Sequence, residues 1–440
     1  MRRLLFLFTL MATTAFAADE VVAIRAARLI DGTGAAPVQN GVVIVTGNRI
    51  TAAGSNVAIP RGARVIDLGD ATLLPGFIDT HTHLFGRELG EPGWNESSVR
   101  DFPAYGAIRG VANAQKTLQA GITSVRNVGT SDFNDIALRR AIDEGHITGP
   151  RIQAAGYSLG ITGGHCDDNG YRPGVLESGY REGIANGVDD VRAAVRYMIK
   201  YGADAIKTCA TGGVLSEGDA VGSPQYDYDE LKAMVDEAHK HERKVAAHAH
   251  GTEGIKIAVR AGVASIEHGS FLDEEGAKLM AQRGTYLVPT LSALERVEQA
   301  AKSNVLTGLR KEKALSAAEA GRRALKIAVA NGVPVAMGTD AGVGPHGANM
   351  RELLLMVDWG GMRPLDAITA STIGAARLLG WEKRVGSLEA GKLADVIAVA
   401  GDPVQDIRRV EQVVFVMKDG KVVRGQGSGP GAQGSGPAAR

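Results

Sequence analysis

Two histidines one residue apart, His81 and His83, close the apolar run "LLPGFIDTHTHLF" at residues 73–85. Side chains alternate faces along a strand, so these imidazoles point the same way. Neutral imidazole is the commonest protein ligand for a metal ion. The run "KVAAHAH" repeats the spacing with His248 and His250, and His268 follows in "ASIEHGS". Asp340, in "PVAMGTDAG", adds a carboxylate between glycines that permit close backbone approach. Each feature alone has an ordinary explanation: polar residues capping a strand, hydrogen-bonded surface histidines, an aspartate capping a helix. Together they are a nitrogen and oxygen donor set of the kind that holds divalent ions.

Lys207 lies inside the apolar run "DAIKTCATGG". A buried ammonium is costly unless paired, and among metal ligands it would repel the ions. A lysine whose stem is buried and whose head reaches the rim is one alternative. Carbamylation is the other: carbon dioxide adds to the neutral amine, and the N6-carboxylated product can bridge two cations. His165 sits in the glycine-flanked loop "GITGGHCDDNG". Tyr157 and Arg181 lie in the same region and are further candidates for touching substrate, although packing under a loop and a solvated surface charge explain them equally well.

These residues need a scaffold that brings distant segments to one place. Between residues 76 and 383, short apolar runs alternate with amphipathic stretches such as "VDDVRAAVRYMIKYG" and "YDELKAMVDEAHKHE". Eight runs qualify: "GFIDTHTH", "ITSVRNVG", "RIQAAG", "DAIKTCATGG", "KVAAHAH", "ASIEHGS", "TYLVPTL" and "PVAMGTDAG". Strand–helix alternation predicts parallel strands, and eight repeats predict a (β/α)8 TIM barrel, whose site lies at the C-terminal strand ends. All the candidate ligands fall at those ends. A doubly wound open sheet would need a Gly-rich phosphate turn after its first strand, which "GFIDTHTH" lacks. Residues 18–75 and 384–425 instead read as hairpins, with Gly47-Asn48 and Asp419-Gly420 as turns. They are expected to pair into one small β-sandwich built from both chain ends.

The 440 residues carry no formal net charge and no long basic run, which argues against nucleic acid or an anionic membrane as partner. Residues 1–17 read as a signal peptide: Arg2 and Arg3 precede an apolar run and an Ala-Phe-Ala cleavage pattern. A secreted or periplasmic protein is therefore expected, with no membrane span after signal removal. The two cysteines, Cys166 and Cys209, leave one bridge open as an option. Residues 426–440, rich in Gly, Ser and Pro, read as a disordered tail.

The motifs "LLPGFIDTHTH", "AGITSVRNVG", "DAIKTCATGG", "VAAHAHG", "SIEHGS", "GTDAG" and "GSLEAGKLADVIAV" together resemble the amidohydrolase superfamily over roughly residues 20–425. The nearest branch is the imidazolonepropionase-like group, which includes Xaa-Pro dipeptidases, carboxypeptidases and ochratoxinase-like enzymes. The resemblance implies two zinc ions, for which cobalt, manganese or iron can substitute. It implies His81, His83 and Asp340 on one ion, His248 and His268 on the other, and carbamylated Lys207 between them. His250 and His165 are left for substrate. Asp340 would take the proton of an attacking water and pass it to the leaving nitrogen. The implied reaction is hydrolysis of an amide that releases a C-terminal amino acid, from a dipeptide or an N-acyl amino acid such as ochratoxin A. A homo-oligomer is expected. Two alternatives stand beside this. One is a mononuclear deaminase or cyclic-amide hydrolase using His250 and Glu253. The other is a secreted binding protein without catalysis.

Overall fold

The computed structural model describes residues 20–425. The expected signal peptide at 1–17 and tail at 426–440 lie outside the described residues. The first five strands are β1 (Val21–Leu29), β2 (Val38–Thr46), β3 (Arg49–Ser55), β4 (Arg64–Asp67) and β5 (Ala71–Pro75). Seven more follow through the middle of the chain: β6 (Phe77–Thr82), β7 (Ile122–Asn127), β8 (Arg151–Ala154), β9 (Ala205–Cys209), β10 (Lys244–Ala249), β11 (Ser265–His268) and β12 (Tyr286–Val288). The last three are β13 (Val396–Ala400), β14 (Val413–Lys418) and β15 (Lys421–Arg424).

The two chain ends do share one sheet, of order β15-β14-β13-β5-β1-β2-β3 with β4 beside β1. The join is the antiparallel pair β5–β13, where Leu74 faces Ile397. Asp419 and Gly420, both at positive φ, make the two-residue turn between β14 and β15, as a type I′ hairpin requires. One face of this sheet buries Val22, Ile24, Val43, Leu73, Val396 and Phe415 against one another.

The middle of the chain is strand–helix alternation. Strands β6-β7-β8 and β9-β10-β11-β12 form two sheets, parallel throughout. The connecting helices are amphipathic for the reason the sequence suggests. Helix Gly187–Tyr201 buries Val191, Ala194, Val195 and Met198, spaced along one face, and stops at Gly202 in the left-handed region. Helix Tyr228–His239 starts on a capping box in which Asp227 and Glu230 exchange hydrogen bonds with each other's backbone.

The eighth run departs from expectation. Residues 334–341 form no regular strand and pair through isolated bridges. Pro334 has no N–H to give, and Asp340 turns into the left-handed region at φ 57, so a regular ladder cannot run the length of the segment. It still bonds to both neighbours. Leu287 N–H donates to Pro334 and Ala336 N–H to Leu287, on the β12 side; Thr80 N–H donates to Met337 and Asp340 N–H to His81, on the β6 side. Asp79 adds a side-chain tie, its Oδ2 accepting from Thr339 Oγ1 at 2.6 Å and from Asn349 at 2.8 Å. At the other junction, Leu159 past β8 exchanges backbone bonds with Lys207 and Cys209 of β9. Among the described residues no helix is long and apolar enough to cross a membrane.

Candidate functional site

The strand ends bring most of the sequence-selected residues to one cavity of about 270 Å³. His81, His83, His165, Lys207, His248, His250, His268 and Asp340 line it, with Val214, Leu215, Leu294 and Val297 on its apolar side. His81 is the penultimate residue of β6 and is fully buried, and His83 follows one residue past the strand end. Their Nε2 atoms lie 3.6 and 3.4 Å from Asp340 Oδ1. His248 stands between rings: 4.7 Å to His250, 4.5 Å to His268 and 4.2 Å to His165, centroid to centroid.

Two overlapping donor sets result. One is His81, His268 and Asp340; the other is His248, His250 and His268; in each, the ligand atoms all lie within 4.8 Å of one another. His250 therefore stands as close to the second set as His248 does. Nε2 of His81 is buried with no hydrogen-bond partner among the described residues, which is costly for a polar atom unless a further group meets it. Burial holds every imidazole here below its ordinary range, His83 and His250 to about 3 and His165 to about 4. His81, His248 and His268 are likewise held well below it. Neutral imidazoles are the form that ligates metal.

The far ring nitrogens are occupied, which fixes each ring. His81 Nδ1 meets Glu267 at 2.7 Å, His268 Nδ1 meets Thr290 Oγ1 at 2.7 Å, and His250 Nδ1 meets Ser270 Oγ at 2.8 Å. Such outer partners orient metal-binding imidazoles. His268, Thr290 and Asp340 all adopt positive φ, at 70, 48 and 57°. That costs on the order of 1–3 kcal/mol each and clusters at functional sites.

Lys207 lies on β9, 3% exposed, and among the described residues its amine donates no hydrogen bond. Burial lowers it to about 8. Asp340 is raised to about 7, burial outweighing the attraction of Lys207. Cys166 and Cys209 are joined, with Cα atoms 5.9 Å apart, so the loop carrying His165 is tied to the strand carrying Lys207.

Two expected substrate residues lie elsewhere. Tyr157 lines the adjoining cavity that His83 shares, and its hydroxyl accepts from Asp132 N–H at 2.9 Å while its ring packs edge-on to Phe133. Arg181 is exposed on a short turn, its guanidinium over the Tyr180 ring, and lines neither cavity. Glu253, which the deaminase alternative needs, is 68% exposed and faces Lys256.

Sequence reading missed Glu267 and Arg126. They pair at 2.8 Å, fully buried, with Arg126 also donating to Thr80 O. The signal was available: opposite charges inside two apolar strands, "ITSVRN" and "SIEH".

Residues 72–423 match the amidohydrolase family model. Ochratoxinase from Aspergillus niger is 34% identical over 93% of this chain and 88% of its own. Imidazolonepropionase from Deinococcus radiodurans is 26% identical over 85% of this chain and 88% of its own. Among solved structures, a Xaa-Pro dipeptidase with bound methionine in the active site superposes with a TM-score of 0.88, at 40% identity over 92% of this chain and all of that one. The structure of A. niger ochratoxinase superposes with a TM-score of 0.83, over 94% and 98%. The chain belongs to the amidohydrolase family and is a hydrolase of amide bonds.

Proposed function

We propose that the chain is a binuclear metal-dependent amidohydrolase that cleaves an amide to release a C-terminal amino acid, from a dipeptide or an N-acyl amino acid. The observation that carries this reading is the orphaned, buried Nε2 of His81 beside His268 and Asp340. A donor set of neutral imidazoles and a carboxylate suits zinc or another borderline divalent ion. His81, His83 and Asp340 would hold one ion, His248 and His268 the other, and Lys207 as its N6-carboxylate would bridge them. A pair of divalent ions supplies the acidification of a water molecule and the polarisation of a carbonyl.

The protein's own groups supply the rest. With its pKa lowered, the Lys207 amine has more of the neutral form whose nitrogen attacks carbon dioxide, releasing a proton as the carbamate forms. Asp340 would accept the water proton and deliver it to the leaving nitrogen. His165 and His250 face the same cavity and would contact substrate, while Val214, Leu215, Leu294 and Val297 would cover an apolar side chain. Tyr157 would line the approach. Arg181, exposed over Tyr180, is left out of this reading. The strand ladders and their bridges support a closed (β/α)8 barrel over residues 76–383 with a β-sandwich from 18–75 and 384–425. Secretion and self-assembly complete the proposal.

The test is a panel of Xaa-Pro dipeptides, N-acyl aromatic amino acids and ochratoxin A. Release of a free amino acid, abolished by chelator and restored by zinc, is expected. Ammonia release from a cyclic or aromatic amine in its place would favour a deaminase. No turnover of any amide by protein carrying two zinc ions would favour a binding protein.

A further inference from the structure

His165 is held more firmly than a loop histidine needs to be. Its backbone N–H donates to Gln225 Oε1 at 3.0 Å, and its Nδ1 meets Ser216 Oγ at 2.8 Å. Ser216 Oγ in turn lies 2.7 and 2.8 Å from the two oxygens of Asp219. Asp219 is anchored by Lys313, whose Nζ donates to Asp219 Oδ1 at 2.9 Å, to Ser216 O at 2.9 Å and to Asp219 O at 3.2 Å. That lysine and aspartate are 4% and 8% exposed. Gln225 and Gly213 N–H donate to Asp219 Oδ2. Lys313 comes from the long helix Gly308–Ala330, far along the chain from the loop it braces. On the other side of the ring, a Cβ on Gly213 would fall 2.1 Å from His165 Cε1, so only glycine leaves the ring its place. The neighbouring Cys166 is tied to Cys209.

The protons in this chain can be placed. A serine hydroxyl has one proton, and an ionised carboxylate can only accept. Asp219 pairs with a lysine ammonium, so Ser216 gives its proton to Asp219. Ser216 Oγ must then accept from His165, which carries its proton on Nδ1. Among the described residues Nε2 of His165 takes no hydrogen bond, and the ring lines the cavity. In the neutral ring Nε2 is a bare lone pair.

We propose that Lys313, Asp219 and Ser216 are positioning residues that fix His165 as the Nδ1–H tautomer, so that Nε2 accepts a hydrogen bond from an N–H of the substrate. The inference about substrate rests on the amidohydrolase reading above; the tautomer does not. It favours substrates that present an N–H to this side of the cavity: the amide N–H of an N-acyl amino acid, or the free amine of a dipeptide such as Xaa-Pro.

Two measurements test this on zinc-loaded full-length protein. Nitrogen-15 spectra of labelled histidine should find His165 protonated at Nδ1, and Ser216→Ala should abolish that preference with metal content unchanged. Kinetics should favour N-acetyl-phenylalanine over N-acetyl-N-methyl-phenylalanine. That ratio of kcat/KM should shrink about tenfold in Ser216→Ala, as one lost hydrogen bond implies, and recover in Ser216→Thr. Asp219→Asn should act like Ser216→Ala, and either variant combined with His165→Ala should add nothing. His165 protonated at Nε2, a tautomer indifferent to Ser216, or an unaltered ratio would overturn the proposal. If no amide is hydrolysed at all, the functional reading fails while the spectra still decide the tautomer.

Discussion

Oε2 of Glu267 lies 2.7 Å from Nδ1 of His81, on a carboxylate whose other oxygen is 2.8 Å from Arg126. With Arg126 and the Ser265 hydroxyl also donating to it, Glu267 has only acceptor capacity left for His81. His81 must donate its Nδ1–H, which leaves Nε2 as the lone pair facing Asp340 and His268. The tautomer that ligation by His81 would require is therefore set by a residue that does not line the cavity.

Glu267→Gln tests that dependence. The amide can present an N–H to His81 and turn the ring toward the wrong tautomer. Zinc affinity is expected to fall about 10–100-fold, with the fold retained. Competition against a chromophoric chelator reads it directly. Wild-type affinity in the variant would mean that His81 is not a ligand oriented by Glu267.

Lys207→Met asks what the buried amine is for. Methionine keeps the bulk and the apolar stem but cannot form a carbamate. Bound metal is expected to fall below two ions per chain, and added bicarbonate should raise activity of the wild type only. The metal-free variant should melt no lower than the metal-free wild type, because an unpartnered buried cation has been removed. A variant that still binds two ions would remove Lys207 from the ligand set.

How legible the site was depended on what each residue had to signal. His81, His83, His248, His268 and Asp340 were legible only together: each alone has an ordinary explanation, but all recur at the ends of apolar runs. Lys207 stood out because a charge inside such a run is expensive. Arg181 misled, since a charge in a loop carries no information about which way it points, and here it lies over Tyr180. Ser216, Asp219 and Lys313 gave no sign. Their relation spans 97 residues between Ser216 and Lys313, and serine or aspartate in a loop is ordinary. The fold followed a similar division. Periodicity marks an element, so the alternating strands and helices were readable. The eighth run was overcalled because apolar residues around Pro334 and Gly338 look like a strand, while the backbone pairs only through bridges.

The Cys166–Cys209 bridge spans 43 residues of sequence. Closing a loop of that length stabilises by about 3–4 kcal/mol on the chain-entropy account. Replacing both cysteines by alanine should lower the urea midpoint accordingly. Cys166 adjoins His165, so the double variant should also raise KM for the amide it cleaves more than it lowers kcat, with two metals still bound. An unchanged KM would make the bridge a matter of stability alone.

Glu237 predicts part of the acid limb of stability. It is 3% exposed on helix Tyr228–His239 and accepts from Arg196 Nε at 2.7 Å and from Lys240 Nζ at 2.9 Å. The Arg196 hydrogen bond first, then that of Lys240, lowers its carboxyl to about 2. A folded-state value below the unfolded one, about 4.3, means the unfolded chain binds the proton more readily. The contribution is therefore complete above that unfolded value and is lost as pH falls through about 2. Arg196 and Lys240 are themselves 60% and 61% exposed, so solvent screens the pair and the contribution is about 1 kcal/mol. Glu237→Gln should be less stable than the wild type by about that amount at pH 7, with the gap closing as the solution is acidified. Urea midpoints across a pH series measure the gap; one that stays constant down to pH about 2 would place the charge of Glu237 outside the energetics of this helix pair.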